Sequence, residues 1–160
     1  MFTLPAPLLL RAIGDDDHAF LSALYASTRH DLAALAAAPA VIAQLIAMQQ
    51  QMQGQGYRTV FPHADYAIVE CTGQPIGRLV TDAQADRLHL VDLALVPHAR
   101  AQGHGSAVLR ALQGAAAARG LALTLSVLHT NEDAARLYAR LGFETVASDQ
   151  VQRRMRWSAP

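Results

Sequence analysis

Leu95-Val96-Pro97-His98-Ala99-Arg100-Ala101-Gln102-Gly103-His104-Gly105-Ser106 is the stretch on which the fold turns. An apolar strand ends at Pro97, which has no N–H to continue a ladder. Gly103 and Gly105 then make a turn that opens a helix. The first N–H groups of a helix lack intrahelical partners, so the backbone of Ala101, Gln102, Gly103, His104, Gly105 and Ser106 forms a cradle suited to a phosphate. Absent side chains at the two glycines let an anion approach, and Arg100 adds a cation. One helix and one strand later comes Asn131-Glu132-Asp133-Ala134-Ala135-Arg136-Leu137-Tyr138-Ala139-Arg140-Leu141-Gly142-Phe143. It reads as a helix capped by Asn131 and carrying one phenol, Tyr138, on the face of Ala134 and Leu141. Asn131 and Tyr138 are seven residues apart, two helical turns, and project to one side.

The two segments, in this order and at this separation, resemble the GNAT superfamily of N-acetyltransferases. Arg100-x-x-Gly103-x-Gly105 matches its acetyl-coenzyme A signature, in which Arg or Gln is followed at fixed spacing by Gly and then Gly or Ala. Asn131, Ala134, Leu137-Tyr138 and Gly142-Phe143 match its second signature. The resemblance implies a mixed α/β (α+β) fold, one domain over residues 1–160, with a mostly antiparallel sheet whose fourth and fifth strands run parallel and splay apart. It implies acetyl-coenzyme A as co-substrate and acetyl transfer to a primary amine by direct attack. Backbone groups of Ala94, Leu95 and Val96 would pair with the pantetheine arm, one N–H polarising the thioester carbonyl. Asn131 would contact that arm, and Tyr138 would give a proton to the leaving thiolate. Two departures stand out: Ala101 occupies a position where glycine is familiar, and Ser126 stands where some relatives that acetylate protein N-termini carry Glu.

Composition bounds the alternatives. A chain of 160 residues that is 52% hydrophobic with zero formal net charge has length for a core and is not disordered. All 13 basic residues are Arg, and without a basic excess a nucleic-acid partner is not expected. The single Cys71 forms no internal disulfide, no Cys/His spacing suggests zinc, and Asp15-Asp16-Asp17 point in different directions on a helix, so no metal is expected. The Asp run reads instead as a helix cap with acids at the positive dipole end. The start of the chain does not read as a signal peptide, and no apolar stretch spans a bilayer, so a cytoplasmic, bacterial-type protein with no membrane partner is expected.

The element order reads β-α-α-β-β-β-α-β-α-β-β. A strand over Leu8–Ile13 is followed by a helix over about 16–28. A second helix starts at Pro39 with Val41, Leu45, Met48 and Met52 as its apolar stripe, and Gly54-x-Gly56 ends it. Its Gln49-Gln50-Gln51 run is a solvated face or the wall of a cleft. Strands follow over Asp65–Cys71 and Ile76–Thr81. Arg87–Val96 is apolar enough for a central strand. The helix from Gly103 turns Val108, Leu109, Leu112 and Ala116 inward and stops at Gly120. Leu121–Val127 alternates cleanly. A terminal pair, Phe143–Ala147 and Val151–Trp157, sets Val151, Met155 and Trp157 on one apolar face, packed on the core or on a second copy in a homodimer.

Asp92 interrupts an apolar strand and is the candidate base for the amine; its other role is a salt bridge. His89, His129 or a water are the alternatives. The acceptor, a small-molecule or peptide amine, is expected between the first two helices and the sheet, with Tyr25, Arg29, Tyr57 and Tyr66 as walls and Arg29 able to hold a carboxylate. A second class of function stays open beside the enzyme: a non-catalytic module of the same fold that holds acyl-coenzyme A as a sensor or pairs with a partner. Retention of Tyr138 beside an intact glycine turn favours the enzyme.

Overall fold

Seven strands form one sheet in the order β1-β2-β3-β4-β5-β7-β6 in a computed structural model that describes residues 2–160, with Met1 outside them. The strands are β1 (Leu8–Ala12), β2 (Asp65–Cys71), β3 (Gln74–Ala83), β4 (Arg87–Leu95), β5 (Ala122–Leu128), β6 (Glu144–Ser148) and β7 (Gln152–Trp157). The helices are α1 (His18–Ser27), α2 (His30–Ala33), α3 (Pro39–Val60), α4 (His104–Ala117) and α5 (Glu132–Arg140). Every neighbouring pair is antiparallel except β4 and β5, which are joined through α4.

The β4–β5 pairing is short. It runs from Arg87↔Ala122 to Leu90↔Leu125 and then stops, although both strands continue. The cause lies in β4. Val80 pairs with Asp92 but Thr81 pairs with Leu90, so Val91 is an extra, unopposed residue. Leu88 and Leu90 belong to the core under α4 and α5, together with Leu123, Leu125 and Val127 of β5. In an unbroken strand Asp92 would follow them into that core, because alternate residues share a face. The bulge reverses the parity. Leu93 and Leu95 pack against the core, while Asp92 and Ala94 face the opposite side, beneath α1 and α3.

Gly77 lies opposite Leu95, and there a Cβ would stand 2.4 Å from the Ala94 carbonyl oxygen and 2.6 Å from Leu95 Cδ2. Only glycine lets β3 approach the end of β4 so closely.

α4 buries Val108, Leu109, Leu112 and Ala116, the stripe expected of it, and Gly120 (φ 64°) follows in the left-handed region. On the other face α1 contributes buried Leu24 and Tyr25 over the β2–β4 half of the sheet. α1 is fixed at its start by Asp17, whose carboxylate takes two bonds from Arg11 (2.6 and 2.7 Å) and one from the Gly14 N–H (2.8 Å). The Asp run therefore acts through an ion pair to β1, and no Asp17 side-chain cap is made onto α1. No helix of the described residues is long and apolar enough to cross a membrane.

α3 corrects the sequence reading twice. It runs through Gly54 and Gly56 to Val60, because each glycine costs only about 1 kcal/mol in a helix and Tyr57 and Phe61 beyond them pack inward. Val41, Met48 and Met52 of the expected apolar stripe are exposed; its Leu45 lies on the half-buried face, with Ile42, Ile46, Gln49, Gln53 and Tyr57. The face turned to the sheet is thus partly polar, as a cleft wall requires. At the C-terminus Met155 is buried and Trp157 packs on the core, whereas Val151 precedes β7 and is exposed.

Candidate functional site

Where β4 and β5 part, the sheet has a gap, and the expected site residues gather around it from both faces. One turn of 3-10 helix, Pro97–Ala99, leads from β4 into the glycine turn. Ala101 (φ 58°) and Gly103 (φ 86°) both take left-handed backbone. Glycine does so freely; for alanine it costs about 1–2 kcal/mol. Gly103 is the N-cap of α4, and no side chain caps that helix. Among the described residues no backbone acceptor meets the N–H groups of Ala101, Gln102 and Gly103. Those of His104, Gly105 and Ser106 begin α4, where a helix offers no partner. Six consecutive donors thus surround one helix start, and Gly105 presents no side chain among them.

The turn is held by its own side chains. Arg100 Nε donates to the Leu95 carbonyl (2.8 Å) and Nη2 to the Ser27 hydroxyl (3.3 Å), tying the turn to β4 and α1. Gln102 Nε2 donates to the His98 carbonyl (2.5 Å). Arg100 is therefore a brace of the turn as well as a nearby charge.

The edge of β4 is more selective than the sequence suggested. The Val96 N–H donates to the Ile76 carbonyl at 2.9 Å, so this cross-strand pair is a hydrogen-bonded one. By alternation the N–H and C=O groups of Ala94 and Val96 belong to β3, and those of Leu93 and Leu95 turn toward the gap. Of Ala94, Leu95 and Val96, only Leu95 turns its backbone groups toward the gap, its carbonyl already accepting from Arg100; Leu93 faces the same way. The sequence carried no trace of the bulge that sets this register.

Asn131 caps α5, its Oδ1 accepting from the Ala134 N–H at 3.2 Å, and its amide nitrogen has no partner among the described residues. Two turns on, the Tyr138 ring packs against Phe143, centroids 5.7 Å apart. Burial, with a smaller contribution from the charge of Asp92, pushes the Tyr138 phenol up to about 12. It stays protonated at any physiological pH. Tyr57, on the opposite face of the sheet, is pushed up in the same way, by burial first and by Asp92 next. The Asp92 carboxylate therefore sits within electrostatic reach of phenols from both faces.

On the α1–α3 side a small pocket opens onto Asp92, with Leu24, Tyr25 and Thr28 of α1, Gln53 of α3 and Arg78 of β3 around it. Arg78 Nε and Nη2 both donate to Asp92 Oδ2 (3.1 and 2.8 Å), and Nη2 reaches Gln53 Oε1 (3.1 Å). Asp92 is thus ion-paired, while among the described residues its Oδ1 accepts no hydrogen bond. Arg78 and Gln53 were missed; the signal available was a second ionisable residue inside an apolar strand, matching Asp92.

Tyr25 is where it was expected, but Arg29 is already engaged. It grips Asp31 with Nε (2.9 Å) and Nη2 (2.7 Å), and Nη1 donates to the Tyr25 hydroxyl (2.9 Å) and to Gln49. These bonds hold the Asp31 carboxyl down at about 2. Arg29 orients Tyr25 rather than waiting for a carboxylate. Tyr66 also lies on this face, its hydroxyl buried and without a partner among the described residues.

The two histidines have structural tasks. His89 stacks on Phe61 (centroids 5.1 Å) and bonds Thr124 Oγ1 through Nδ1 (2.8 Å), and burial lowers its pKa. His129 Nε2 bonds the Asp149 carbonyl (2.8 Å) and Nδ1 accepts from Arg153 (3.3 Å). Cys71 packs at the margin of the core, away from the gap. Among the described residues no cluster of His, Cys, Asp or Glu could hold a metal ion.

This arrangement has counterparts. The model of the acetyltransferase (GNAT) domain family matches residues 62–145. The paiA N-acetyltransferase of Thermoplasma acidophilum, solved in complex with coenzyme A, superposes with a TM-score of 0.70 at 15% identity, over 95% of this chain and 99% of that one. An acetyltransferase of Thermus thermophilus gives 0.68 at 18% identity, over 99% and 100%. Arabidopsis thaliana Naa50, in complex with the bisubstrate analogue CoA-Ac-MVNAL, gives 0.61 at 16% identity, over 95% and 99%.

Proposed function

The chain belongs to the GNAT acetyltransferase family, and from that premise we propose that it transfers an acetyl group from acetyl-coenzyme A to a primary amine of a small molecule or peptide, by direct attack. The observation that carries this reading is the meeting of four features at one gap: the donor-rich start of α4, the edge of β4 where the Leu93 backbone and the Leu95 N–H face outward, the protonated Tyr138 and the half-free carboxylate of Asp92.

In this reading the pyrophosphate is held by the N–H groups of residues 101–106 and the pantetheine arm lies along the edge of β4. The amine enters from the α1–α3 pocket. Asp92 Oδ1 accepts its proton, directly or through one water, and the nitrogen attacks the thioester carbon. A backbone N–H from Leu93 or Leu95 stabilises the oxyanion that forms. The C–S bond breaks, and the thiolate takes the Tyr138 proton. The Arg78 guanidinium holds Asp92 through Oδ2 and leaves Oδ1 turned to the pocket. No covalent acyl-enzyme is required. A cytoplasmic location suits a chain that draws on acetyl-coenzyme A.

Thiol release from acetyl-coenzyme A, measured against a panel of small amines, amino acids and peptides, tests this. Release that depends on the amine is expected. Saturable coenzyme A binding with no amine-dependent release would make the chain a binding module instead.

A further inference from the structure

The α1–α3 face is only half covered. Over its β5–β7–β6 half lies an open groove of about 460 Å³, within the size of ordinary ligand sites. Phe61 and His89 border it on one side, and Ser126, Arg87, Arg154 and Arg156 line the rest. Its lining contains three arginines and no carboxylate, in a chain whose net charge is zero. Among the described residues no acid lies within salt-bridge distance of Arg154 or Arg156, and Arg87 reaches only exposed Asp86, at 3.7 Å. The acids nearby do not fill the groove. Asp149 accepts the Val151 and Gln152 N–H groups through Oδ1 and only feels the charge of Arg154, Asp82 is held by Gln84, and Glu144 at the sheet edge stands across from Arg156 without a salt bridge.

We propose that this groove is an acceptor subsite for an acidic peptide, binding carboxylate side chains two to four residues from the amine that is acetylated. The inference rests on the acceptor route proposed above and adds the substrate class. The register supplies the spacing. Leu90 pairs with Leu125, and Ser126 with Arg154, so Arg154 lies nearly level with Asp92 and two strands away. At about 4.8 Å per paired strand that is at least about 10 Å, since β4 and β5 have parted at this level, and an extended peptide advances about 3.3 Å per residue. A lone amino acid cannot span this distance; a short peptide can. A second copy is a poor occupant, because a two-fold contact would set Arg154 and Arg156 near their own copies. A nucleic acid would call for a broader basic excess.

Fluorescence anisotropy tests the groove without relying on turnover. One labelled peptide has a free N-terminal alanine and aspartates at its third to fifth positions; its control has asparagines there. With coenzyme A present, the acidic peptide should bind at least tenfold more tightly, and added salt should erode the difference. Arg154→Glu with Arg156→Glu should abolish or invert the preference, while turnover of a small neutral amine stays unchanged. If charge reversal impairs folding, Arg154→Gln with Arg156→Gln should still remove the preference. Equal binding of the two peptides, or a preference that survives both pairs of substitutions, would overturn the proposal. So would an effect of these substitutions on dimer mass alone. Arginine-dependent peptide binding without any amine-dependent thiol release would uphold the groove and defeat the catalytic reading; small-amine turnover without acidic preference would do the reverse.

Discussion

The two sides of β4 are built from different materials. On the α4–α5 side, what faces the gap is mostly backbone: the N–H groups of residues 101–106 and the edge groups of Leu93 and Leu95. On the α1–α3 side it is side chains: Asp92 paired with Arg78, Gln53 bonded to Arg78, and Tyr25 held by Arg29. A backbone site is specified by where side chains are absent and by the turn that points the donors, so a few residues at fixed spacing suffice. A side-chain site is assembled from four or five elements distant in sequence, and each member can change if its partner changes. The first suits a carrier of fixed chemistry, the second an acceptor that differs from one enzyme to the next.

If that division holds, substitutions on the two sides should separate kinetically. Asp92→Asn keeps the shape of the pocket and an oxygen for Arg78 but removes the base. It should lower kcat by about 10²- to 10⁴-fold, with coenzyme A affinity nearly unchanged. A variant with the parental kcat would assign the proton to water or to another group. Gly103→Val acts on the other side. A β-branched residue cannot hold the left-handed backbone at this position, and at least two charge-assisted hydrogen bonds to phosphate should go with the turn. Coenzyme A affinity should fall about a hundredfold by calorimetry. Undiminished affinity in a folded variant would move the phosphate elsewhere. The smallest effect is expected at Ala101→Gly. Relief of about 1–2 kcal/mol of backbone strain is offset by about 0.4–1 kcal/mol of extra unfolded-state entropy. The variant should be as stable as the parent or up to about 1.6 kcal/mol more so in urea; a clear loss of stability would show that the turn carries no strain at this residue.

The same contrast explains what could be read without coordinates. The glycine turn and the Asn131–Phe143 helix are local, and their capping, spacing and single phenol survive in one dimension. So does α4, whose Val108, Leu109, Leu112 and Ala116 repeat at helical period and are all buried. α3 was less legible, since its exposed Val41, Met48 and Met52 form as regular an apolar stripe as a buried face would. Arg29 illustrates a second limit: an arginine near a pocket says nothing of the acid, here Asp31, that already occupies it. The bulge at Val91 is the third. It inverts the parity of β4, turns Asp92 out of the core and decides which carbonyls and N–H groups face the gap, yet it arises from pairing with β3 and leaves no mark on the apolar run itself.

In the proposed reaction, carrier and acceptor meet in the β4–β5 gap with a protonated phenol at the leaving sulfur. Tyr138→Phe tests it most directly, because the change removes one hydroxyl and leaves the ring against Phe143. Under conditions where chemistry limits the rate, kcat should fall by about 10²- to 10⁴-fold while stability and coenzyme A affinity stay near those of the parent. A variant that turned over at the parental rate under the same conditions would contradict the assignment of Tyr138 as proton donor.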